Sequence, residues 1–280
     1  SEGENTSDLS VAAARKALDD AGVAPEELDL IVLGTLTPDH PLPSVACQVQ
    51  EELGAKSAGA FDVGSACTGF LTALHTAEAF IAAGRARNVL AIGAETLSRY
   101  VNMQDRTSCI LFGDGAGAAV LQPFEDCQQG EILRATLGSD GSGFEFIHIP
   151  HGGAAIPHNH PDYDPDLHFI TLRGREVYRF AVTKMVELIE SMCEGYERDE
   201  IALIVPHQVN RRIIESSLER LEWSADRCVI NIDRYGNTSA ASVPLALDEA
   251  LREGRIKRGD LVVLVAFGAG LTWGASLLRW

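Results

Sequence analysis

The two halves of this 280-residue sequence repeat one another at an offset of about 170 positions. Gly84-Arg85-Ala86-Arg87, for example, returns as Gly254-Arg255-Ile256-Lys257. A period of this length is far too long for a solenoid and is typical of a duplicated domain. Because apolar runs alternate with amphipathic stretches in both copies, we predict two α/β halves, over residues 1–126 and 127–280.

Apolar runs bounded by turn residues predict the elements of each half. Strands are predicted at 29–36, 59–63, 89–95, 131–138, 201–206, 228–233 and 261–267, with 108–121 as two runs bent at glycines and 272–280 as the closing segment of the chain. Helices are predicted at 7–22 (capped by Ser7 or Asp8), 45–53, 70–81, 175–193, 211–221 and 237–251. The strand at 131–138 has no counterpart in the first half, because its match would fall about 40 positions before residue 1. We therefore expect a first strand to be missing from this N-terminus.

Charge and hydropathy exclude several classes of function. The net charge of −17 disfavours general nucleic-acid binding, which requires a basic face. No apolar run reaches the ~18–20 residues of a membrane span, and no secretory signal is present at the N-terminus. The six cysteines lack paired spacing and are typical of reduced thiols, so we expect a cytoplasmic location.

Cys67 lies where a predicted strand passes into a predicted helix, in a turn loosened by Gly64 and Gly69. Unpaired backbone N–H groups and the positive end of the helix dipole favour a thiolate at such a corner. Free cysteines are also commonly buried as simple packing residues. The corner alone leaves a catalytic and a packing interpretation open.

Two further polar residues are predicted at strand ends. His207 follows the strand at 201–206, and Asn237 lies 170 positions after Cys67, at the matching corner of the second copy. Ligands gather at the carboxyl ends of parallel strands, so the repeat predicts that the three side chains meet in one cleft. Such a set is a nucleophile with two hydrogen-bonding partners. A structural hydrogen bond for His207 and a helix cap at Asn237 are the simpler alternatives.

Five motifs, in chain order, resemble β-ketoacyl-[acyl-carrier-protein] synthase III of the thiolase superfamily. They are Ser65-Ala66-Cys67-Thr68-Gly69-Phe70, the segment 112–119 (FGDGAGAA), Pro206-His207-Gln208-Val209-Asn210, the segment 236–242 (GNTSAAS) and the segment 267–274 (FGAGLTWG). The resemblance implies a thiolase-like fold of five αβαβα layers with mixed sheets. It also implies a two-stage reaction, in which a short acyl-CoA acylates Cys67 and the enolate of malonyl-carrier protein then attacks the acyl group.

The same resemblance assigns roles to individual positions. His207 and Asn237 would stabilise the enolate, and the backbone N–H groups of Cys67 and Ala269 would form an oxyanion hole. Arg106 matches an arginine that stacks on the CoA adenine, Leu42 a position that closes the acyl pocket across a homodimer interface, and Arg212 a carrier-docking arginine. Asn210 and Phe267 complete the implied substrate-binding positions.

Other interpretations of the motifs stay open at this point. A related thiolase-fold acyltransferase or polyketide starter synthase would share them, and a papain-type hydrolase shares the order Cys, His, Asn. A non-catalytic homologue is a third class. The resemblance implies no cofactor, since acyl-CoA and malonyl-carrier protein are substrates. We expect no metal site, because the histidines of the 139–166 loop lack ligand spacing; these are His148, His151, His158 and His160.

Overall fold

The structure, a computed structural model, describes residues 3–106 and 108–280. Its helices are α1 (Thr6–Ala21), α2 (Val45–Leu53), α3 (Gly69–Ala82), α4 (Phe124–Cys127), α5 (Gly174–Cys193), α6 (Arg211–Leu221), α7 (Ile232–Tyr235) and α8 (Ser242–Arg252). Its strands are β1 (Leu30–Gly34), β2 (Gly59–Val63), β3 (Val89–Thr96), β4 (Asp114–Leu121), β5 (Glu131–Ser139), β6 (Ile147–His148), β7 (Thr171–Leu172), β8 (Ile201–Pro206), β9 (Leu261–Gly268) and β10 (Thr272–Arg279).

The main strands form two mixed sheets of four. The first has the order β2-β1-β3-β4, with β4 antiparallel to β3 and the other neighbours parallel. The second has the order β5-β10-β9-β8, in which β8 and β9 are parallel and β10 is antiparallel to both of its neighbours. In this arrangement β8, β9 and β10 correspond to β1, β3 and β4. The predicted α/β class and the duplication of its sheets are therefore confirmed, whereas the boundary at residue 126 stays a prediction.

Three apolar clusters hold the elements in five layers. The first packs α1 and α2 on the outer face of the first sheet, and the second packs α5 and α6 on the outer face of the second sheet. The third fills the space between the sheets and includes residues of both α3 and α8. Successive residues of β1 enter different clusters, Val32 the central one and Ile31 and Leu33 the outer one. This alternation explains why the strand is apolar throughout.

The two copies of the repeat meet at a pair of matching corners. Ala66 and Ser239 are 173 positions apart and both adopt left-handed backbone conformations, with φ of 49° and 47°. The helices that follow them, α3 and α8, also begin 173 positions apart. The structural counterpart of Cys67 is therefore Ala240, and our pairing of Cys67 with Asn237 at 170 positions is wrong by three residues. The cause is helix length, since α3 has 14 residues and α8 has 11.

Several predicted elements differ from the structure. No strand forms over 228–233: a single bridge joins Cys228 to Ile204, and the helical turn α7 follows. The side chain of Gln208 accounts for this, because it donates to Val229 O and accepts from Asn231 N in place of a neighbouring strand. Helix α1 is capped by Asn5, whose backbone N–H donates to Asp8 in a capping box.

Strand β4 is one continuous strand, although its glycines predicted a bend. Gly117 instead permits close packing, because a Cβ added there would lie 2.7 Å from Cβ of Pro244 in α8. Within residues 3–106 and 108–280, no strand pairs with the outer edge of β4, where β5 pairs with its counterpart β10. In the same residues no helix is long and apolar enough to cross a bilayer.

Candidate active site

Cys67 lies in a single 3-10 turn (Ala66–Thr68) between β2 and α3. The end of β9 packs directly against it: a Cβ added to Gly268 would lie 2.9 Å from Cys67 Cβ and 3.2 Å from its Sγ. The α8 corner approaches from the other side, where a Cβ added to Gly69 would lie 3.1 Å from Ala240 Cβ. Glycine at position 268 is thus required for the position of the sulfur.

The environment of Cys67 keeps the sulfur protonated at rest. Burial raises the pKa of the thiol to about 11, and the nearby Glu95 carboxyl acts in the same direction. The nearby Ser239 hydroxyl opposes this increase in the pKa. Our expectation of a thiolate at this corner is therefore wrong, because the loss of hydration outweighs the helix dipole.

His207 is fully buried beyond the end of β8, and its Nδ1 lies 2.6 Å from Ser242 Oγ. The Ser242 hydroxyl donates its one proton to Ser239 O at 2.8 Å. The hydrogen-bond network therefore assigns the imidazole proton to Nδ1. The other nitrogen, Nε2, is buried without a hydrogen-bond partner in the described residues. Burial lowers the pKa of His207 to about 3, so the ring is neutral and Nε2 is a bare acceptor.

Asn237 is nearly fully buried and uses its side-chain oxygen locally, because Oδ1 accepts from Ser239 N at 2.9 Å. This is the capping role that the sequence allowed. The orientation leaves the amide Nδ2 as a donor, with no hydrogen bond to any residue that the structure describes. Asn237 thus serves both as a cap and as a free donor.

Ser239 connects the three predicted residues. Its backbone N–H is bound by Asn237, its carbonyl by the Ser242 hydroxyl that holds His207, and its own hydroxyl interacts with the Cys67 thiol. The structure therefore brings Cys67, His207 and Asn237 into one group around Ser239. Backbone donors are also present, since neither Cys67 N nor Ala269 N donates to another residue in the described part of the chain.

Glu95 also belongs to this group, although the sequence analysis did not identify it. It is fully buried near the end of β3, and its Oε1 accepts from Ser239 Oγ at 3.2 Å. Its Oε2 accepts from Thr37 Oγ1 at 2.7 Å, Leu36 N at 3.0 Å and Thr35 Oγ1 at 3.2 Å. Burial raises its pKa to about 7. The signal that could have found it is a lone carboxylate in an otherwise apolar strand, VLAIGAET.

The remaining predicted positions lie at different distances from the sulfur. Phe267 is buried and packs edge-on against the His207 ring, with centroids 5.9 Å apart. Asn210 caps α6 and, with Arg212, lines a surface cavity of about 420 Å³. Leu42 and Arg106 are exposed on loops, and neither hydrogen-bonds to the Cys67 group within the described residues.

Three of the four histidines of the 139–166 loop, His148, His151 and His158, pack against aromatic side chains. His158, for example, packs against Tyr163 with ring centroids 4.8 Å apart and against His168 at 5.0 Å. In the described part of the chain no three His, Cys, Asp or Glu side chains are placed to hold a metal ion.

Known proteins share this sequence and this fold. The family model for 3-oxoacyl-[acyl-carrier-protein (ACP)] synthase III matches residues 61–141, and the model for the C-terminal part of that enzyme matches residues 193–280. The β-ketoacyl-[acyl-carrier-protein] synthase III of Caldanaerobacter subterraneus subsp. tengcongensis is 48% identical over 98% of this chain and 83% of its own length. That of Clostridioides difficile is 48% identical over 100% of this chain and 85% of its own length.

Solved structures agree with the sequence matches. The crystal structure of 3-oxoacyl-[acyl-carrier-protein] synthase III from Aquifex aeolicus VF5 superimposes with a TM-score of 0.91 at 44% identity, covering all of this chain and 86% of that one. The priming β-ketosynthase of the R1128 polyketide pathway superimposes with a TM-score of 0.90 at 34% identity, covering all of this chain and 83% of that one. The fold is thus the thiolase-like fold that the motifs predicted, and the chain belongs to the 3-oxoacyl-[acyl-carrier-protein] synthase III family of condensing acyltransferases.

Proposed function

We propose that this chain condenses a short acyl-CoA with malonyl-[acyl-carrier-protein], giving a 3-oxoacyl-carrier product, CoA and CO₂, and so initiates fatty acid synthesis. The observation that carries the proposal is the hydrogen-bonded group around Ser239. It combines a protonated nucleophile, a bare acceptor on His207 and a free amide donor on Asn237. The names of the relatives support the choice of substrates.

In the first stage the Cys67 thiol must lose its proton, because its pKa of about 11 leaves little thiolate at neutral pH. His207 Nε2 accepts this proton, since it is unpartnered and the ring is neutral. The sulfur attacks the thioester carbonyl of acyl-CoA, and the N–H groups of Cys67 and Ala269 stabilise the oxyanion. The C–S bond to CoA then breaks, and CoA leaves as a thiol with the proton from His207. The acyl-Cys67 thioester remains.

In the second stage malonyl-carrier protein loses CO₂, and the electrons of the broken C–C bond form an enolate. The amide Nδ2 of Asn237 is the donor already placed for the enolate oxygen. The negative charge also favours uptake of a proton from solvent on His207 Nε2, which then becomes a second donor and later returns this proton to the Cys67 thiolate. The enolate carbon attacks the acyl carbonyl, a C–C bond forms, and Cys67 leaves as a thiolate that is reprotonated.

The partners follow from this chemistry. We propose that acyl-CoA and the acyl carrier protein bind without any further cofactor, with the carrier docking beside Arg211 and Arg212 at the cavity lined by Asn210. A homodimer would cover the large apolar side chains left at the surface; among the most exposed are Leu42, Met103 and Ile110. The six cysteines are all free, which fits a reducing, cytoplasmic location.

The test is incubation with a panel of acyl-CoAs, followed by intact mass spectrometry. We expect one acyl group per chain on Cys67, none on Cys67→Ala, and a 3-oxoacyl product after addition of malonyl-carrier protein. Absence of labelling with every acyl-CoA would refute the proposal.

A further inference from the structure

The Glu95 carboxyl reaches the nucleophile through one hydroxyl group. Ser239 Oγ lies 3.2 Å from Glu95 Oε1 and interacts on its other side with the Cys67 sulfur. No step of the reaction described above uses a carboxylate at this position. The three side chains nevertheless form a continuous row from β3, through the α8 corner, to the α3 corner.

The fold itself gives no reason for a carboxyl group here. The preceding residues of β3, from Val89 to Ala94, are apolar and fully buried, and both faces of the strand pack against apolar clusters. Burying a carboxylate is unfavourable unless hydrogen bonds compensate. Four donors converge on Glu95, from Thr35, Leu36, Thr37 and Ser239. Such an arrangement is typical of functional sites.

Ser239 is itself held in an uncommon conformation. Its φ of 47° is in the left-handed region, which non-glycine residues occupy only when the surroundings compensate. Glu95 binds its hydroxyl, and Asn237 and Ser242 bind its backbone. Glu95 thus anchors the residue on which the whole group depends.

We propose that Glu95 is a positioning residue for Cys67: it holds the Ser239 hydroxyl beside the sulfur, and its negative charge adds to the burial that keeps the sulfur as a thiol until the acyl donor binds. The two residues act in opposite directions. Ser239 has one hydroxyl proton: directed at Glu95 Oε1 it leaves the sulfur without this donor, and turned to the sulfur it stabilises a thiolate, whereas the Glu95 charge destabilises a thiolate. Cys67 is the titratable group that faces Glu95, and its other close neighbours (Thr35, Leu36, Thr37 and Ser239) are uncharged.

The opposite effects of Ser239 and Glu95 on the thiolate can be tested. The measurement is the pH dependence of Cys67 alkylation by iodoacetamide between pH 6 and 10. We expect Glu95→Gln to raise the rate at pH 8 by about three- to tenfold, the effect of removing one nearby charge, and to move the profile to lower pH. Ser239→Gly should lower the rate by a similar factor and move the profile to higher pH. Glycine suits the φ of 47°, so this variant removes the hydroxyl without straining the backbone.

Glu78→Gln is the matched control, because Glu78 is a half-buried carboxyl on α3 with no hydrogen bond to the Cys67 group in the described residues. Its profile should superimpose on that of the parent protein. A merely structural role for Glu95 predicts lower thermal stability with an unchanged profile, and that result would overturn the proposal. Shifts of Glu95→Gln and Ser239→Gly in the same direction would also overturn it.

The inference rests on the proposed function only in treating Cys67 as the nucleophile. Alkylation needs no acyl-CoA and no carrier protein, so the two proposals fail separately. Opposite shifts in alkylation without any acyl labelling would leave Glu95 as a positioning residue and reject the substrate assignment.

Discussion

The Ser242 hydroxyl determines which nitrogen of His207 is free to act. It accepts from Nδ1 at 2.6 Å and donates to Ser239 O at 2.8 Å, so the imidazole proton stays on Nδ1 and Nε2 stays bare. Ser242→Ala removes this constraint without adding volume. The proton can then lie on either nitrogen, and the tautomer with Nε2–H cannot accept the thiol proton of Cys67.

The size of the effect follows from the hydrogen bond that is lost. A buried hydrogen bond of this kind stabilises one arrangement over the other by about 1–3 kcal/mol. Once this preference is lost the two tautomers have comparable populations, so the productive tautomer, and with it the acylation rate, should fall by about two- to fivefold. Decarboxylation of malonyl-carrier protein should fall much less, because Asn237 Nδ2 is its placed donor and an Nε2–H tautomer can also donate to the enolate.

The two half-reactions can be measured separately. Rapid-quench labelling with radioactive acyl-CoA reports acylation, and CO₂ release from malonyl-carrier protein reports decarboxylation. Ser217→Ala is the control, since Ser217 is a buried serine whose hydroxyl donates only to its own helix, to Ile213 O. Equal losses in both half-reactions, or a loss as large in Ser217→Ala, would refute the tautomer argument.

Three further predictions follow from individual contacts. Gly268→Ala should reduce acyl labelling by more than about tenfold without unfolding the protein, because the added Cβ would lie within 3.2 Å of Cys67 Sγ; labelling at the parent rate would contradict this. Burial lowers the pKa of His75 to about 4, below its unfolded value near 6.5, so the stability that neutral His75 provides is complete above pH 6.5 and is lost as the pH falls towards 4. His75→Gln keeps a partner for Ser276 Oγ. Between pH 7.5 and 5 its free energy of unfolding in urea should therefore fall by about 2 kcal/mol less than that of the parent protein; equal decreases would reject the assignment. Arg212→Glu should raise KM for malonyl-carrier protein and leave acyl-CoA labelling unchanged, and an equal effect on both substrates would argue against a docking role.

The sequence predicted the parts of the site that local pattern determines. The ends of short apolar runs located Cys67 and His207: β8 is apolar throughout and mostly buried, and β2, although an exposed to half-buried edge strand, is also mostly apolar. Pattern could not predict the protonation of Cys67, since the helix dipole can be inferred from the chain but the burial that opposes it arises only on packing. Glu95 was missed for the same reason, because its four donors come from segments distant in the sequence. The strand predicted at 228–233 does not form, because the Gln208 side chain hydrogen-bonds to Val229 O and Asn231 N in place of a neighbouring strand.

The duplicated corners explain how one fold supplies both halves of the site. Ala66 and Ser239 share the same left-handed backbone, and each directs the start of its helix towards the centre of the molecule. In the first copy the next residue is Cys67, so this corner presents the nucleophile. In the second copy the corresponding residue is Ala240, which leaves room for the close contact with Gly69, and the chemistry moves to the residues around it. Ser239 hydrogen-bonds there to Asn237, Glu95 and Ser242. The two corners thus share a backbone conformation but differ in role: the first presents the nucleophile, and the second holds the residues around it.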